Sequence, residues 1–260
     1  MRHPFRLLET GFNPAPFNMG LDEALLRAVA SGESLPTMRF YGWNPPAVSI
    51  GYFQGLREEI DTDACAAGGV DIVRRITGGG AVFHHHEVTY STVLPLSHPL
   101  ARENILDSYR LLLSGIVAGL AGLGISAEFS PINDISAGGR KISGNAQTRK
   151  LGCILQHGTI LLDVEVDRMF SLLKVPQEKA KGKLIADIKS RVTSVRHCLP
   201  EAETKDFASL FARTVSALEA GYARALEIDF EPSEPTAHEL DTAARLASEK
   251  FASSAWTELR

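Results

Sequence analysis

Three consecutive glycines follow two arginines in the segment Arg74-Arg75-Ile76-Thr77-Gly78-Gly79-Gly80. Adjacent glycines cost backbone entropy, a cost that makes sense where a ligand must lie against bare backbone. Their N–H groups can form a nest that binds an anion, and guanidinium groups bind phosphate or carboxylate through paired hydrogen bonds. The alternative is a plain glycine hairpin with surface arginines. The paired arginines favour a binding loop, although its spacing is neither that of a P-loop nor that of a dinucleotide fingerprint.

A second polar segment contains Asn133-Asp134-Ile135 and then the stretch 139–147, which includes Lys141 and Ser143. Residues two apart on a strand share a face, so Lys141 and Ser143 are predicted to point the same way. Small neighbours leave room for a substrate beside the lysine, whose ammonium group can stabilise charge in a transition state. The alternatives are an exposed edge-strand lysine and ordinary turn residues.

Histidines form the other notable pattern. The run His84-His85-His86-Glu87 lacks the spacing of a zinc site, so partial solvent exposure or a hydrogen-bonding role for His84 is favoured over metal binding. His157 lies among apolar residues of a predicted strand, which is typical of a hydrogen-bonded core histidine.

The composition narrows the class of protein. The chain has 260 residues, of which 44% are hydrophobic, and a formal net charge of -4. No apolar run reaches the roughly 20 residues that a membrane helix needs, and no basic excess indicates nucleic acid. Neither a membrane nor a nucleic acid is therefore expected as a partner. Three widely spaced cysteines argue against disulfide bonds and favour a reducing cytoplasm.

The elements that must position these residues follow from periodicity and turn residues. Helices are predicted at 18–29, 105–123, 169–173, 207–222 and 240–251, and strands at 38–41, 47–52, 70–74, 81–94, 132–136, 140–146 and 153–164. Glycines at 138–139 connect two of the last three strands, which indicates a meander. The pattern predicts an α+β fold, a mixed or antiparallel sheet with packed helices, and a helical C-terminal part from about 197.

Taken together, these segments resemble the lipoate–protein ligase family, which is grouped with biotin–protein ligases and octanoyl transferases. The resemblance is carried by Arg-Arg-x-Thr-Gly-Gly-Gly-Ala-Val-x-His at 74–84, Asn-Asp-Ile at 133–135 and Gly-Arg-Lys-Ile-Ser-Gly-Asn-Ala-Gln at 139–147. It extends from roughly Leu7 to Trp256. It implies the class II synthetase-like fold of biotin and lipoate protein ligases, with one acyl-adenylating catalytic domain over 1–260.

The resemblance also implies a reaction, in which lipoate is activated with Mg-ATP to lipoyl-AMP and the lipoyl group passes to a lysine of an acceptor protein. Mg²⁺ is then the expected cofactor, and a lipoyl domain or an H-protein-like acceptor is the expected partner. Lys141 matches the catalytic lysine; Asn133, Asp134 and Lys141 match nucleotide-binding positions, and Asp134 matches the metal ligand. Residues that match the lipoyl-AMP pocket are Arg74, Arg75, Gly78, Gly79, Gly80, Val82, His84, Ser143, Gly144, Ala146, His157 and Thr159.

The chain departs from the family pattern in several places. It resembles the short form without a C-terminal accessory domain, which can require a separate small accessory subunit. His85 replaces the usual aspartate, as in a cysteine-dependent octanoyl transferase branch. That branch, however, has arginine at the position of Gly80 and a nucleophilic cysteine near Asn133, and this chain has neither.

The expected function is therefore an ATP-dependent lipoate–protein ligase. The first alternative is an octanoyl or lipoyl transferase that acts without ATP. A second alternative is a non-enzymatic protein that binds lipoate or lipoyl-AMP as a sensor or carrier. Retention of Lys141 and of the three glycines speaks against a degenerate binding protein.

Overall fold

The computed structural model describes residues 2–174 and 181–260. The strands are β1 (His3–Asn13), β2 (Thr37–Trp43), β3 (Ala47–Ile50), β4 (Asp71–Arg74), β5 (Val82–His84), β6 (Glu87–Pro95), β7 (Ala127–Ser130), β8 (Asp134–Ala137), β9 (Arg140–Lys150), β10 (Cys153–Leu161) and β11 (Ile228–Pro232). The α-helices are α1 (Ala15–Ser31), α2 (Leu56–Glu59), α3 (Thr62–Ala67), α4 (Ile105–Gly122), α5 (Val166–Leu172), α6 (Lys181–Arg191), α7 (Val195–Cys198), α8 (Phe207–Ala225), α9 (Ala237–Leu246) and α10 (Ser254–Thr257). A 3₁₀ turn at Glu201–Glu203 and a π-helical turn at Ala247–Phe251 complete the described elements.

Eight strands form a large mixed sheet in the order β11-β1-β2-β6-β10-β9-β8-β7. Strand β1 runs parallel to both β2 and β11, and the other neighbours run antiparallel. Strands β3, β4 and β5 form a separate small sheet in the order β4-β3-β5. The expected α+β fold, with a mixed sheet and packed helices, is confirmed.

Helices cover both faces of the large sheet. Helices α4 and α8 pack on each other, and their apolar side chains meet those of one sheet face in a buried cluster that includes Phe40, Tyr90 and Ile116. Helices α1 and α9 share the second cluster with the opposite sheet face, represented by Tyr41 and Leu155. Full burial of each large aliphatic or aromatic side chain contributes about 1.5–3 kcal/mol, so these two clusters hold the layers together.

Helix α4 is, among the described residues, the one helix that is long and apolar enough to cross a membrane by length and composition. Leu112, Ile116 and Leu120 recur at helical spacing and are fully or almost fully buried against the sheet and α8. Asn104 begins the helix by accepting hydrogen bonds from the backbone N–H groups of Leu106 and Asp107. Packing in the core accounts for the apolar composition.

The small sheet separates two environments. Ala47 and Val73 face the cluster shared with α1, whereas Val48, Ile50 and Cys65 belong to a third cluster formed with α2 and α3. One face of the small sheet is thus turned towards the large sheet, and the two sheets enclose a cavity between them.

Two features of the sequence-based strand assignment are wrong. The segment 81–94 is not one strand, because His85 and His86 turn the chain between β5 and β6, which belong to different sheets. The sequence analysis does not predict β1, β7 and β11, because β1 lacks a regular apolar alternation and the alternation in β7 and β11 is limited to strands of 4 and 5 residues. The stretch after 197 is mostly helical and includes β11, which adds to the edge of the large sheet beside β1.

Candidate active site

A cavity of about 310 Å³ lies between the two sheets and is named the first cavity. Its floor crosses the large sheet, because Tyr41 pairs with Thr89, Thr89 with Thr159, Thr159 with Gly144, and Gly144 with Asp134. Neighbouring strands are ~4.8 Å apart, so the floor extends about 19 Å from Asp134 to Tyr41. The cavity is therefore long, with one end near Asp134 and the other near Tyr41.

Lys141 lies at the first of these ends, which is named the open end. Its Nζ is 2.9 Å from Oδ1 of Asp134, and 44% of the lysine side chain is exposed. A Cβ at Gly144 would come within 2.9 Å of the same Nζ. Glycine is consequently needed below the ammonium group, and the floor there consists of backbone.

A β-bulge decides which side chains face this end. Ile135 pairs with Ser143 and Ser136 pairs with Lys141, so Ile142 has no partner on β8. The extra residue shifts the alternation of side chains, and Lys141 therefore shares a face with Gly144. The prediction that Lys141 and Ser143 point the same way is wrong.

Ser143 points away from the first cavity, towards the side covered by α8. There its hydroxyl accepts a hydrogen bond from Nδ2 of Asn145, whose Oδ1 accepts one from the hydroxyl of Tyr90. Nδ2 of Asn145 also contacts the backbone oxygen of Asn133, and Nδ2 of Asn133 donates to the backbone oxygen of Asn145. These bonds fix the loop before β8 at the edge of the open end.

Arg75 supports the glycine loop from below. Its Nη2 donates to the backbone oxygens of Gly78 and Gly80 at 2.8 and 2.7 Å, and its Nη1 donates to the backbone and hydroxyl oxygens of Ser49. Burial lowers the pKa of Arg75 to about 10, so the group is still charged at neutral pH. Gly79 adopts a φ of +97°, where glycine is favoured. Arg75 therefore shapes the loop and places a positive charge beneath it.

Arg74 has a different role from the predicted one. Its guanidinium is fully buried and donates to five backbone oxygens, among them those of Gly51, Gln54, Trp256 and Thr257. Consecutive residues on a strand point to opposite sides, so only one of two adjacent arginines can face the cavity. The hydrogen bonds of Arg74 instead hold α10 and the loop after β3 in place.

The other end of the first cavity, named the closed end, is built on Asp22 of α1. The Asp22 carboxylate accepts hydrogen bonds from Arg39, Tyr41 and Ser91, and lies 3.2 Å from Nδ1 of His157. Burial alone would raise the pKa of Asp22, but the bond to His157 and the charge of Arg39 outweigh it and lower the pKa. Burial also lowers the pKa of His157, which keeps this imidazole neutral.

A second set of hydrogen-bonded side chains, in addition to those around Asp22, lines the closed end. His84 Nδ1 lies 2.7 Å from Glu87, its Nε2 lies 2.8 Å from the hydroxyl of Ser49, and its ring stacks on Trp43 at 4.1 Å. Trp43 Nε1 donates to the hydroxyl of Thr89, which donates to Glu87. The hydrogen-bonding role predicted for His84 is confirmed. Because these polar groups form hydrogen bonds with one another, the surface that remains for a ligand at the closed end is aromatic.

Ser49, His84 and Glu87 are hydrogen-bonded in the same order as the side chains of a hydrolase triad. They lie, however, at the opposite end of the cavity from Lys141. The hydroxyl of Thr89 belongs to this row, and Thr89 lies two strands, ~10 Å, from Gly144 below Lys141. Arg75 also donates to the Ser49 hydroxyl. The row therefore shapes the closed end and lies far from a carbonyl group held by Lys141.

A second cavity of about 400 Å³ adjoins the first at Val82, Lys141, Gly144 and Thr159. Helix α5 supplies much of its apolar wall, together with residues of β5, β10 and α6. Lys141 therefore stands where the two cavities meet.

His85, His86 and Glu165 line the second cavity and bring three ligand-type atoms within 4.8 Å of one another. A cation already occupies this corner, since Nη1 of Arg168 is 3.4 Å from Nδ1 of His85 and 3.6 Å from Glu165. The two imidazole rings also stack at 3.7 Å, which prevents their lone pairs from converging on one ion. These contacts do not fit a metal centre.

The three cysteines lie away from both cavities, as far as the described residues define them. Cys65 and Cys153 are buried, and burial raises the pKa of both thiols, to about 11 for Cys65. Cys198 is exposed on α7. A thiol with a raised pKa is a poor nucleophile at neutral pH.

Most of the predicted site residues come together in the first cavity. They are Arg75, Gly79, Gly80, Val82, His84, Asn133, Asp134, Lys141, Gly144, Ala146, His157 and Thr159. Arg74, Gly78 and Ser143 do not line it, and Gly78 contributes a backbone oxygen to Arg75 instead. The sequence analysis missed Met19, Tyr41, Trp43, Ser49, Thr89, Asn145 and Gly158. Charged Asp22 and Arg39 within otherwise apolar segments were the available signal for the closed end.

Comparison with known proteins gives consistent relatives over the whole chain. A family model described as the lipoyl protein ligase A/B catalytic domain matches residues 14–216. Octanoyltransferase LipM of Symbiobacterium thermophilum is 39% identical over 278 residues, which cover 98% of each chain. Octanoyltransferase LipM of Bacillus subtilis is 34% identical and covers 100% of this chain and 99% of its own. A bi-partite lipoate protein ligase from Thermoplasma acidophilum is 30% identical, with a TM-score of 0.88 over 99% of this chain and 98% of that one.

These relatives overturn one expectation. The expected ATP-dependent lipoate–protein ligase is wrong, because the curated relatives over the full length are octanoyltransferases, the first alternative. The expectation depended on two absences, a cysteine near Asn133 and an arginine at the position of Gly80. The residues that are present, Lys141 and the glycine loop, suit a thioester as well as an adenylate, since charge develops on the same carbonyl oxygen in both.

Proposed function

Because the chain belongs to the lipoyl protein ligase A/B family of catalytic domains, we propose that it transfers an octanoyl or lipoyl group from a thioester donor to a lysine of an acceptor protein without ATP. The observation that carries the proposal is the position of Lys141 at the open end of a long cavity whose other end is closed. An acyl chain fits along the floor with its carbonyl group beside the ammonium. The octanoyltransferase relatives support this reaction class.

The reaction needs one bond to form and one to break. The amine of the acceptor lysine attacks the carbonyl carbon of the thioester, and the charge that develops on the oxygen is stabilised by the Lys141 ammonium. The carbon–sulfur bond then breaks, an amide remains on the acceptor, and the proton lost by the amine goes to the departing thiolate. Atoms and charge balance without a nucleotide.

Transfer is proposed to be direct, without an acyl-enzyme on cysteine. Of the described residues that line the two cavities, none is a cysteine, and the buried thiols have raised pKa values. The contribution of the protein is then to hold donor and acceptor in line and to stabilise the oxygen, which are effects of proximity and electrostatics.

Magnesium enters no step of this reaction. Mg²⁺ demands near-ideal octahedral coordination by oxygen ligands, whereas the one carboxylate at the open end, that of Asp134, is paired with Lys141. The described groups at the open end do not fit this ion. The paired carboxylate instead holds the ammonium in position.

A lipoyl domain is the proposed acceptor. The solved structure from Thermoplasma acidophilum belongs to a lipoylation system described as a bi-partite lipoate protein ligase and its E2 lipoyl domain, and its match covers 99% of this chain. The separate small accessory subunit stays a prediction, which co-purification from the native host would test.

Incubation of the purified chain with octanoyl-loaded acyl carrier protein and a lipoyl domain, without ATP, tests the proposed function. Mass spectrometry of the lipoyl domain is expected to show one octanoyl group on a lysine. Acylation that requires ATP, with release of AMP, would overturn the proposal. Free octanoate offered without ATP is the negative control, because it carries no leaving group.

A further inference from the structure

The position of the Lys141 ammonium group depends on the loop before β8, which comprises residues 131–133. Asp134, the carboxylate that pairs with the ammonium, is the first residue of β8 and directly follows this loop. Pro131 and Ile132 are exposed, Ile132 to 69%. Apolar packing of these two side chains therefore does little to hold the loop, and polar contacts must place Asp134.

The contacts that hold the loop come from Asn145 on β9. Its Nδ2 donates to the backbone oxygen of Asn133 at 2.8 Å, and Nδ2 of Asn133 donates in return to the backbone oxygen of Asn145. Asn145 is buried, so water competes little for these bonds. Two reciprocal bonds thus attach the last residue of the loop to the middle of a central strand.

Asn145 is itself fixed from the opposite direction. Its Oδ1 accepts a hydrogen bond from the hydroxyl of Tyr90 at 2.9 Å, and that hydroxyl accepts one from Nε2 of Gln156 at 2.8 Å. The second proton of its Nδ2 goes to the hydroxyl of Ser143. A Cβ at Gly158 would come within 2.0 Å of the same Oδ1. Strand β10 therefore leaves space for this amide by carrying a glycine opposite it.

We propose that Asn145 is a positioning residue for the transfer reaction, which holds the loop before β8 so that Asp134 keeps the Lys141 ammonium beside the reacting carbonyl group. The inference rests on the proposed function, in which that ammonium stabilises charge on the carbonyl oxygen. The amide of Asn145 acts through the loop and touches no reacting atom. Small displacements of such a group are costly, since a misplacement of about 1 Å can slow a reaction 10²-fold.

Amine labelling tests the link between Asn145 and Lys141 without requiring transfer. An amine-reactive reagent modifies the free amine, so a lysine held against a carboxylate reacts slowly. Asn145→Ala is expected to raise the labelling rate of Lys141 about threefold or more, towards that of Asp134→Asn, as measured by peptide mass spectrometry. Lys150, at the other end of β9, is the internal reference and should keep its rate. An unchanged rate at Lys141 would overturn the inference.

A double-mutant cycle on single-turnover transfer tests the consequence for catalysis. Asn145→Ala is expected to lower the rate about tenfold, with unchanged affinity for the octanoyl-loaded carrier. In the Lys141→Met background the same substitution is expected to change the rate less than about twofold, because its effect is exerted through the ammonium. Equal factors in the two backgrounds would overturn the inference. Absence of transfer by the wild type would count against the proposed function alone, and the labelling result would still decide the role of Asn145.

Two further variants separate a local role from damage to the fold. Asn133→Ala removes the reciprocal bond of a half-buried side chain, and it is expected to raise the labelling of Lys141 as Asn145→Ala does. Ser108→Ala is the matched control, because its hydroxyl accepts a hydrogen bond from Gln147, which shares a face of β9 with Asn145 but bonds to α4 instead of to the loop. This control is expected to leave labelling and rate unchanged. An equal rise of labelling in Ser108→Ala would contradict a specific role for Asn145.

Discussion

The two ends of the first cavity are built from opposite principles. At the closed end, Asp22, Arg39 and His157 are buried, and each is held by several hydrogen bonds. At the open end, Lys141 is almost half exposed and has Asp134 as its ion-pair partner among the described residues. Buried polar networks are costly to disturb, whereas an exposed ion pair contributes little to stability. The closed end therefore fixes the shape of the site, and the open end is free to carry out chemistry.

This comparison predicts that stability and activity separate between the two ends. Substitutions at the closed end are expected to affect folding first, and substitutions at the open end are expected to affect transfer first. The predictions below test that separation, beginning with the largest expected effect.

Arg39→Met is expected to lower the free energy of unfolding by about 3–5 kcal/mol, because it leaves the Asp22 carboxylate buried without its cation. Denaturant unfolding followed by circular dichroism measures the change. Arg27→Met is the matched control, since Arg27 pairs with Glu23 at a site where the arginine is half exposed. That control is expected to cost less than about 1 kcal/mol. Equal losses in the two variants would remove the distinction drawn for the closed end.

Lys141→Met is expected to reduce the transfer rate by about 10²–10³-fold while leaving the thermal unfolding midpoint unchanged. The variant keeps the length of the side chain but loses the charge at the carbonyl oxygen. Single-turnover transfer of octanoate from its carrier to a lipoyl domain gives the rate. Lys150→Met, on the same strand but outside both cavities, should retain it. Full activity of Lys141→Met would remove the mechanism.

The sequence identified the open end far better than the closed end. Lys141, Asp134 and the glycine loop stand in two short segments whose residue types already indicate anion and acyl chemistry. The closed end brings together side chains from α1, β2, β3 and β6, and no local pattern marks residues that meet only after folding. Its clue was indirect, since Asp22 is charged within an apolar helix.

Two errors at the site have the same physical origin. The assignment of Ser143 assumed strict alternation along β9, but the unpaired Ile142 forms a bulge that changes the side on which Lys141 lies. The assignment of Arg74 treated adjacent arginines as one pair, although strand geometry sends Arg74 and Arg75 to opposite sides. Pairing register and side-chain direction depend on neighbouring strands, which a single sequence does not display.

Gly79→Val is expected to weaken binding of an octanoyl or lipoyl ligand by about tenfold or more, because a positive φ costs a β-branched residue roughly 1–2 kcal/mol. Its Cβ would also approach Nη2 of Arg75 to 2.8 Å, which disturbs the support of the loop between the two ends. Gly122→Ala is the control, because a Cβ there meets no atom within 4 Å and Gly122 lines neither cavity. Calorimetry with octanoate measures both, and unchanged affinity in Gly79→Val would contradict close contact between backbone and ligand.

Stability is expected to fall as the pH drops below 6.5. Burial holds the pKa of His157 below its ordinary value of 6.5, so the unfolded chain takes up a proton that the folded chain does not. The folded state is therefore favoured above pH 6.5 and loses stability on acidification, because the unfolded chain binds the proton more strongly. His157→Gln should reduce the slope of stability against pH below 6.5, although His86 and His98, whose pKa values are also lowered by burial, retain part of it. An unchanged slope would contradict a neutral His157.

The smallest effect is expected from the cysteines, because neither end of the cavity contains one among the described residues. Replacement of Cys65, Cys153 and Cys198 by alanine is expected to leave the transfer rate per folded molecule within about twofold of the wild type, since direct transfer needs no thiol. The buried Cys65 and Cys153 fill space in two core clusters, so some loss of stability is expected and must be measured separately. Cys198→Ala alone provides the control with the fold intact, because that side chain is exposed. Loss of transfer in Cys198→Ala, or an octanoyl adduct found on any cysteine by peptide mass spectrometry, would show that the protein forms an acyl-enzyme thioester. Either result would contradict direct attack by the acceptor lysine.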